Sequence, residues 1–253
     1  MPSHISARAF FLLSERRDRV YHSITIGDKN TWDDWHLIPA TRPLFNPPSV
    51  KTNMVNIPGG DGVLDLTTAL AGRPTYNNRT GSWTFYVQNG FKDWSALYSE
   101  IMVYLHGQEF KAILEDDPAY YYEGRFSVNQ WKSDKDWSQI TIDYNVGPYK
   151  KEINNTGSDW LWDPFNFETG IIRNYKNLSV LTSLTVVVEG DMMDSIPVII
   201  CSASGMSVKY NGTTYSLSKG TNTNPNIVLH SGDNTLIFYG QGTITIENTG
   251  GRL

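Results

Sequence analysis

The chain has 253 residues, of which 40% are hydrophobic and 19% charged, and its formal net charge is −5. This composition is typical of a folded protein rather than a disordered one, and the length favours two domains. The acidic balance and the lack of an uninterrupted Lys/Arg run argue against a protein that binds nucleic acid through its phosphates.

Cysteine content and hydropathy exclude two further classes of protein. The single cysteine, Cys201, cannot form an intramolecular disulfide, and its apolar setting predicts a buried position in a strand. Every apolar run is shorter than the roughly 18 residues that a membrane-spanning helix requires. The run Ala9–Leu13 is too short for the core of a signal peptide, so we expect synthesis in a cytoplasm and no insertion into a membrane.

Strand patterns dominate the N-terminal half, which we predict to be an antiparallel β domain over residues 1–148. Aromatic and β-branched residues mark four strands. The last strand has the clearest alternation of apolar and polar residues, with Ile140, Ile142 and Tyr144 on one face. This pattern predicts a strand with one buried face. The four predicted strands span residues 85–87, 110–114, 120–128 and 140–146.

One helix is predicted in this half, at about residues 93–106. Apolar residues recur there at helical spacing, Asp93 is a plausible N-cap, and Gly107 suits the position just after the helix. Its amphipathic pattern indicates that the helix packs on one face of the sheet. The segment 3–21 fits no clear element.

The pattern changes after Gly147-Pro148. Residues 149–159 are polar and predict a linker or crossing, and residues 160–253 carry about seven short strand signals, which is typical of a small β-sandwich. Asn211-Gly212 between two of them predicts a tight hairpin. The sequence leaves open whether the last strand returns to the N-terminal domain. The predicted strands span 182–189, 197–201, 207–210, 213–217, 226–229, 234–239 and 242–247.

Patterns for catalysis or for metal binding are weak. The five histidines are scattered and form no ligand pair with metal-site spacing. The densest acidic cluster, Glu115-Asp116-Asp117, precedes a proline and reads as a solvated hairpin loop rather than a catalytic carboxylate pair. We therefore expect no enzyme, no metal and no cofactor.

The most distinctive stretch runs from Ile57 to Arg79 and reads IPGGDGVLDLTTALAGRPTYNNR. It follows GDKNTWDDWHLI at 27–38 and NPPSVKTNMVN at 46–56. Its glycines suit a shaped loop, and the Asp65 carboxylate is placed to cap a turn. In this order the three segments resemble the N-terminal half of the distal tail protein of long-tailed, non-contractile bacteriophages, in a style most similar to phages of lactococcal and related Gram-positive hosts.

This resemblance implies a mainly β fold whose C-terminal part is a galectin-like sandwich. It also implies a structural hub at the virion tail tip: a ring of six copies that joins the tail tube to the tail-associated tip protein, leaves a channel for DNA, and carries baseplate or receptor-binding proteins. Arg73 and Arg79 read either as ordinary surface arginines or as interface residues. The resemblance implies eight interface residues: Trp32, Asp34, Trp35, Lys51, Asp61, Asp65, Arg73 and Arg79.

A carbohydrate-binding module for host cell-wall saccharide is the alternative function. Sugar sites commonly use an exposed aromatic ring beside hydrogen-bonding groups. The chain has no tryptophan after Trp162, and few tyrosines and phenylalanines follow it. The sequence therefore favours a sandwich that docks proteins over one that binds sugars.

Overall fold

The computed structural model of the protein describes residues 22–88, 93–133, 137–153 and 175–253. The predicted N-terminal segment 3–21 and most of the predicted crossing, from residue 154 onward, lie outside these ranges. The described residues form one helix, α1 (Trp94–Leu105), and nineteen strands. The strands are β1 (Ile24–Ile26), β2 (Lys29–Asn30), β3 (Ile38–Pro39), β4 (Met54–Asn56), β5 (Val63–Asp65), β6 (Arg79–Gln88), β7 (Gln108–Leu114), β8 (Tyr120–Ser133), β9 (Trp137–Val146), β10 (Lys150–Glu152), β11 (Leu178–Val180), β12 (Ser183–Gly190), β13 (Val198–Cys201), β14 (Met206–Tyr210), β15 (Thr213–Leu217), β16 (Gly220–Thr223), β17 (Gly232–Tyr239), β18 (Gly242–Glu247) and β19 (Gly251–Arg252).

The N-terminal half is an antiparallel sheet in the order β2-β1-β7-β8-β9-β6-β3. The four strands predicted here exist as β6 to β9, and three of them extend well beyond the predicted bounds. Ile140, Ile142 and Tyr144 of β9 are buried, while Asn145 is exposed, so the predicted alternation is confirmed. A cluster of aromatic and aliphatic side chains, including Phe85, fills one face of the sheet.

Helix α1 covers that buried face, as predicted. Asp93 is the N-cap, and its carboxylate accepts a hydrogen bond from the backbone N–H of Ser95 at 3.0 Å. Leu97, Ile101 and Leu105 are buried against the sheet because they recur at helical spacing on one side of the helix. The prediction of a single packed helix in this half is confirmed for the described residues.

The C-terminal half consists of two four-stranded antiparallel sheets, ordered β11-β18-β13-β16 and β12-β17-β14-β15. Their inward side chains, among them Val208, Phe238 and Ile246, form a second core. Cys201 is buried in this core, as predicted. The chain is therefore mainly β, with a sandwich following a helix-covered sheet, as the sequence predicted.

Three details of the sandwich differ from prediction. Strand β11, which pairs with β18, was not predicted. Residues 226–229 form no strand: Leu229 makes an isolated bridge to Ser195, and the Asn224 side chain caps a turn at the N–H of Asn226. Strand β16 was not predicted because GTNT lacks apolar residues. It is a strand because its backbone pairs with β13.

The predicted hairpin at Asn211-Gly212 is confirmed. Strands β14 and β15 pair from Tyr210↔Thr213 outward, which leaves these two residues as the turn. Both are left-handed, with φ of 46° and 84°. A two-residue turn of this kind matches the twist of the flanking strands.

The end of the chain returns to the N-terminal sheet. Strand β19 pairs with β10, and β10 pairs with β8. Lys150–Glu152 lies in the segment predicted as a linker, but its backbone is held between two strands. Arg252 of β19 also binds Asp191 of the sandwich, with Nε 3.1 Å from Oδ2. The two halves are therefore joined by sheet pairing as well as by the crossing chain.

Candidate functional site

The segment between β3 and β6 forms a projecting arm, defined here as residues 50–76. A bridge between Val50 and Tyr76 closes its base, and the N–H of Lys51 donates to the carbonyl of Thr75 at 2.8 Å. Strands β4 and β5 pair only with each other within the described chain. The arm is thus a two-stranded hairpin outside both cores.

The arm exposes an unusual number of large apolar side chains. Every residue from 51 to 65 and from 68 to 72 is exposed. A contiguous exposed apolar surface usually marks an interaction site, and an isolated two-stranded hairpin is marginally stable by itself. Seven apolar side chains of the arm are between 42% and 98% exposed: Val50, Met54, Val55, Ile57, Val63, Leu64 and Leu70.

Polar groups inside the arm define its local shape. The Asp65 carboxylate accepts the backbone N–H of Thr67 at 2.8 Å, as predicted for a turn cap. Hydrogen bonds from the Thr67 side chain and backbone lower the pKa of Asp65. At the tip, Gly59 and Gly62 have φ of 77° and 78°, which a side chain would strain. The glycine-rich stretch is therefore explained by backbone shape.

The base of the arm binds the sandwich through Arg73. Its Nη2 lies 2.7 Å from Oδ2 of Asp194, and its Nη1 donates to the hydroxyl of Tyr149 at 3.1 Å. The same carboxylate also meets Nδ1 of His230 at 3.1 Å. The hydrogen bonds that Arg73 donates to the Asp194 carboxylate and then to the Tyr149 hydroxyl raise the pKa of its guanidinium. The arm, the N-terminal sheet and the sandwich therefore meet at this guanidinium.

Two of the eight predicted interface residues are buried inside the chain. Arg79 is 5% exposed and donates to the carbonyls of Pro148 at 2.8 Å and Asn46 at 3.0 Å. Burial lowers the pKa of its guanidinium. Trp35 is fully buried, with its ring 5.6 Å from that of Tyr104. The structure thus gives both side chains intramolecular contacts, and the subunit contact that the resemblance implied for them stays a prediction.

The other six predicted residues separate into two groups. Trp32 and Asp34 belong to the turn after β2, where Asp34 accepts the N–H of Asn30 at 2.8 Å. Lys51, Asp61, Asp65 and Arg73 all belong to the arm, and the first three are exposed. The arm is the one surface on which the structure brings several of the predicted residues together. Their role in a subunit contact stays a prediction.

The acidic cluster at the β7–β8 turn makes intramolecular contacts. Asp116 meets Nδ1 of His22 at 2.9 Å and Nε of Arg42 at 2.8 Å, and Asp117 meets the ammonium of Lys150 at 2.7 Å. These carboxylates join separate segments of the chain. The sequence predicted a solvated loop, and the difference arises because the partner cations are far away along the chain.

Within the described residues, no cluster of three or more His, Cys, Asp or Glu side chains has the arrangement of a metal site. The same part of the chain has no helix long and apolar enough to cross a membrane.

A groove lies between α1 and the start of β7. Its volume is about 700 Å³, and the Tyr104 and Phe110 rings stack in it with centroids 4.8 Å apart. Val103 on its rim is 86% exposed.

The sequence analysis predicted neither this groove nor the exposed apolar side chains of the arm. Two features of the sequence could have indicated these surfaces. Val103 is an apolar residue on the polar side of the amphipathic helix, and the arm has short apolar pairs between its turn residues. The groove is lined by Ser99, Glu100, Val103, Tyr104, Gln108 and Phe110.

Comparison with known proteins gives a structural match. No family model matches the sequence, and no curated protein matches it. Among solved structures, the chain is similar to the crystal structure of the SPP1 Dit (gp 19.1) protein, described as a paradigm of the hub adsorption apparatus in phages that infect Gram-positive bacteria. The identity is 14%, the TM-score is 0.60, and the match covers 92% of this chain and 99% of the other. The chain has a Dit-like fold.

Proposed function

We propose that this protein is a structural component of a bacteriophage tail tip, acting as a hub of the adsorption apparatus. The observation that carries the proposal is the extent of the fold match, which covers nearly all of both chains. A match confined to the sandwich would suit many unrelated proteins, because sandwiches host many functions. The arrangement of a helix-covered sheet, an arm and a returning C-terminal strand is a more specific combination.

The hub acts as a ring of about six copies. One face of the ring joins the tail tube, the other joins the tail-associated tip protein, and the central channel passes DNA. The sandwich faces outward and carries baseplate or receptor-binding proteins that attach the virion to a Gram-positive host, with lactococcal and related bacteria the favoured class. The acidic composition supports this proposal, since a net charge of −5 does not favour adhesion of DNA to the ring.

The proposal assigns no reaction to this chain. Two of its carboxylates have structural partners: Asp116 pairs with Arg42, and Asp194 pairs with Arg73. The proposed role needs no cofactor, because the ring acts through surfaces that bind other proteins.

Sugar binding by the sandwich has less support. Of the aromatic side chains in residues 175–253, only Tyr239 is exposed, at 38%. A saccharide site usually uses an aromatic face beside converging polar groups. A glycan array with the full chain tests this alternative, and binding that is lost in Tyr239→Ala would support it.

Immunogold labelling of virions tests the proposed location. Virions of the phage that encodes this chain would be probed with antibody to the protein, with antibody to the tail-tube protein as the reference. The proposal predicts label confined to the tip of each tail, whereas the reference labels its length. Label along the whole tube, on the capsid, or only in the lysate would contradict the proposal.

A further inference from the structure

We propose that β15, at the edge of the sandwich, receives an extended strand from another protein of the tail tip. This inference rests on the proposed hub and names the surface of the sandwich on which a partner docks. Strand β15 lies at one end of the sheet order β12-β17-β14-β15 and pairs only with β14 within the described chain. Its outer edge is therefore open to a further strand.

The pairing of β15 with β14 determines which backbone groups this edge presents. Tyr210 and Thr213 flank the two-residue turn, so the N–H of Thr213 bonds back to the carbonyl of Tyr210. Hydrogen-bonded and non-hydrogen-bonded pairs alternate along an antiparallel ladder, which places Thr214 and Ser216 in non-hydrogen-bonded pairs. The N–H and C=O groups of these two residues therefore point away from β14, with the spacing that an added strand requires.

Strand β15 has none of the features that usually block an edge strand. Exposed edges are commonly protected by charged side chains, by proline, by a bulge or by very short length. Strand β15 has five residues, reads TTYSL, and pairs with β14 in an unbroken register. An edge of this kind is a template for strand addition by another chain.

The other edges of the sandwich are shorter or covered. Strand β11 has three residues and β16 has four. Strand β12 has eight, but the Tyr175 hydroxyl donates to the carbonyl of Val187 at 3.1 Å and accepts the N–H of Glu189 at 3.3 Å. Among the described residues, β15 is thus the longest edge of the sandwich whose outward backbone groups have no such cover.

The side chains of β15 define the pattern of the strand that would join it. Leu217 is buried in the second core and Tyr215 packs against that core, whereas Thr214 and Ser216 are exposed. Neighbouring strands in a sheet continue the same two faces. The added strand would therefore alternate apolar residues on the core side with small polar residues on the side facing water.

The charge near β15 indicates an acidic group in the partner. Lys209 lies opposite Thr214 in the ladder, and Lys219 follows the strand by two residues. Neither ammonium forms an ion pair with a carboxylate of the described chain. Complementary charge favours one partner over others. The partner segment is therefore extended and alternating, and it carries Asp or Glu beside its strand.

Hydrogen exchange of the wild-type protein tests the pairing. The amides of Thr214 and Ser216 should exchange at least about tenfold more slowly in purified tails than in the isolated chain, because an added strand supplies acceptors for them. The amides of Thr213 and Tyr215, which bond to β14, are the internal control and should be slow in both samples.

The outcomes of this experiment separate the docking site from the hub. Equal exchange of Thr214 and Ser216 in the two samples would overturn the strand pairing and leave the hub intact. Protection that arises in the isolated chain at high concentration would assign the edge to a second copy, which would also overturn the proposal. Absence of the chain from purified tails would contradict the hub itself.

Two substitutions at one position separate a backbone contact from a side-chain contact. Thr214→Pro removes an outward N–H but no bond to β14, and proline is tolerated at edge positions of this kind. Thr214→Ala keeps the N–H and is the matched control. Gel electrophoresis of purified tails should show that Thr214→Pro loses one tail-tip protein, whereas Thr214→Ala keeps it. Tails of the same composition with both variants would overturn the pairing, and the exchange experiment requires neither variant.

Discussion

At the residue scale, several polar side chains form hydrogen bonds or ion pairs that join separate segments of the chain. Arg79 is the clearest, because a buried guanidinium reaches two backbone carbonyls and lies 5.4 Å from the centre of the Tyr122 ring. Arg73 precedes it by six residues, is partly exposed, and forms an ion pair with Asp194 of the sandwich. Two arginines six residues apart thus have different roles, which the residue type alone does not distinguish.

We expect Arg79→Leu to destabilise the folded chain by about 2–3 kcal/mol, since it leaves the partly buried carbonyls of Pro148 and Asn46 without their donor. Urea unfolding followed by tryptophan fluorescence measures the change. The control is Arg125→Leu, because Arg125 is exposed and lies 3.4 Å from Glu109, and we expect a change below about 1 kcal/mol. Equal effects of the two substitutions would contradict the role given to Arg79.

The Asp116 contacts predict acid sensitivity. Partial burial alone would raise the pKa of Asp116, but Arg42 and His22 outweigh it, so its pKa is lowered. A lowered folded pKa means that the stabilisation is present above the unfolded pKa of about 3.9 and is lost as pH falls through the folded value. Urea unfolding at pH 7 should therefore separate wild type from Asp116→Asn, and the difference in stability should be smaller at pH 3.

Asp61→Asn is the matched control for this series, since Asp61 is exposed at the tip of the arm. It should follow the wild type at both pH values. A difference between wild type and Asp116→Asn that stays constant down to pH 3 would show that Asp116 acts through packing rather than through its charge.

At the scale of elements, the sequence predicted correctly the helix, the strand and the turn whose formation depends on residues close together in the chain. The alternation in β9, the capped helix α1 and the Asn211-Gly212 turn all follow from spacing and turn chemistry, and all are present. The sequence did not predict strands that form only through backbone pairing with a strand far away in the chain. Strands β16 and β19 have no apolar pattern, and they form because β13 and β10 offer them backbone partners.

The β14–β15 turn gives a test at this scale. Gly212→Val should destabilise the chain by about 1–2 kcal/mol, because a side chain is strained at a φ of 84°. Asn211→Gly is the control and should be nearly neutral, since glycine adopts the same left-handed conformation freely. Thermal unfolding of both variants measures the difference. If Gly212→Val unfolds at the same temperature as the wild type, the turn can change its type without a loss of stability.

The candidate site was predicted less well than the fold. The resemblance directed attention to the arm, because four of the eight implied residues lie there, and their role in a subunit contact stays a prediction. It also included Trp35 and Arg79, which point inward, since burial is decided by tertiary packing. The arm's exposed leucines and valines were overlooked because apolar residues in a strand pattern are normally expected to be buried.

At the scale of the whole molecule, two connections fix the sandwich relative to the N-terminal sheet. One is the pairing of β19 with β10, and the other is the cluster of Arg73, Asp194 and His230. The arm shares this second connection.

We expect the two connections to make unfolding cooperative. Deleting residues 251–253 together with Arg73→Ala should split a single calorimetric transition into two, because β19 and the Asp194 ion pair are both lost. Arg73→Ala alone, which leaves β19 in place, should keep one transition. A single transition in the doubly altered chain would contradict the importance of these connections.

We propose above that this chain closes into a ring as the hub of a phage tail tip. The most direct measurement is light scattering coupled to size exclusion, with negative-stain images of the main peak. We expect a closed ring of about six subunits with a central hole, which binds the tail-tube protein on one face. A chain that stays monomeric at high concentration, even with the tail-tube and tip proteins present, would contradict it.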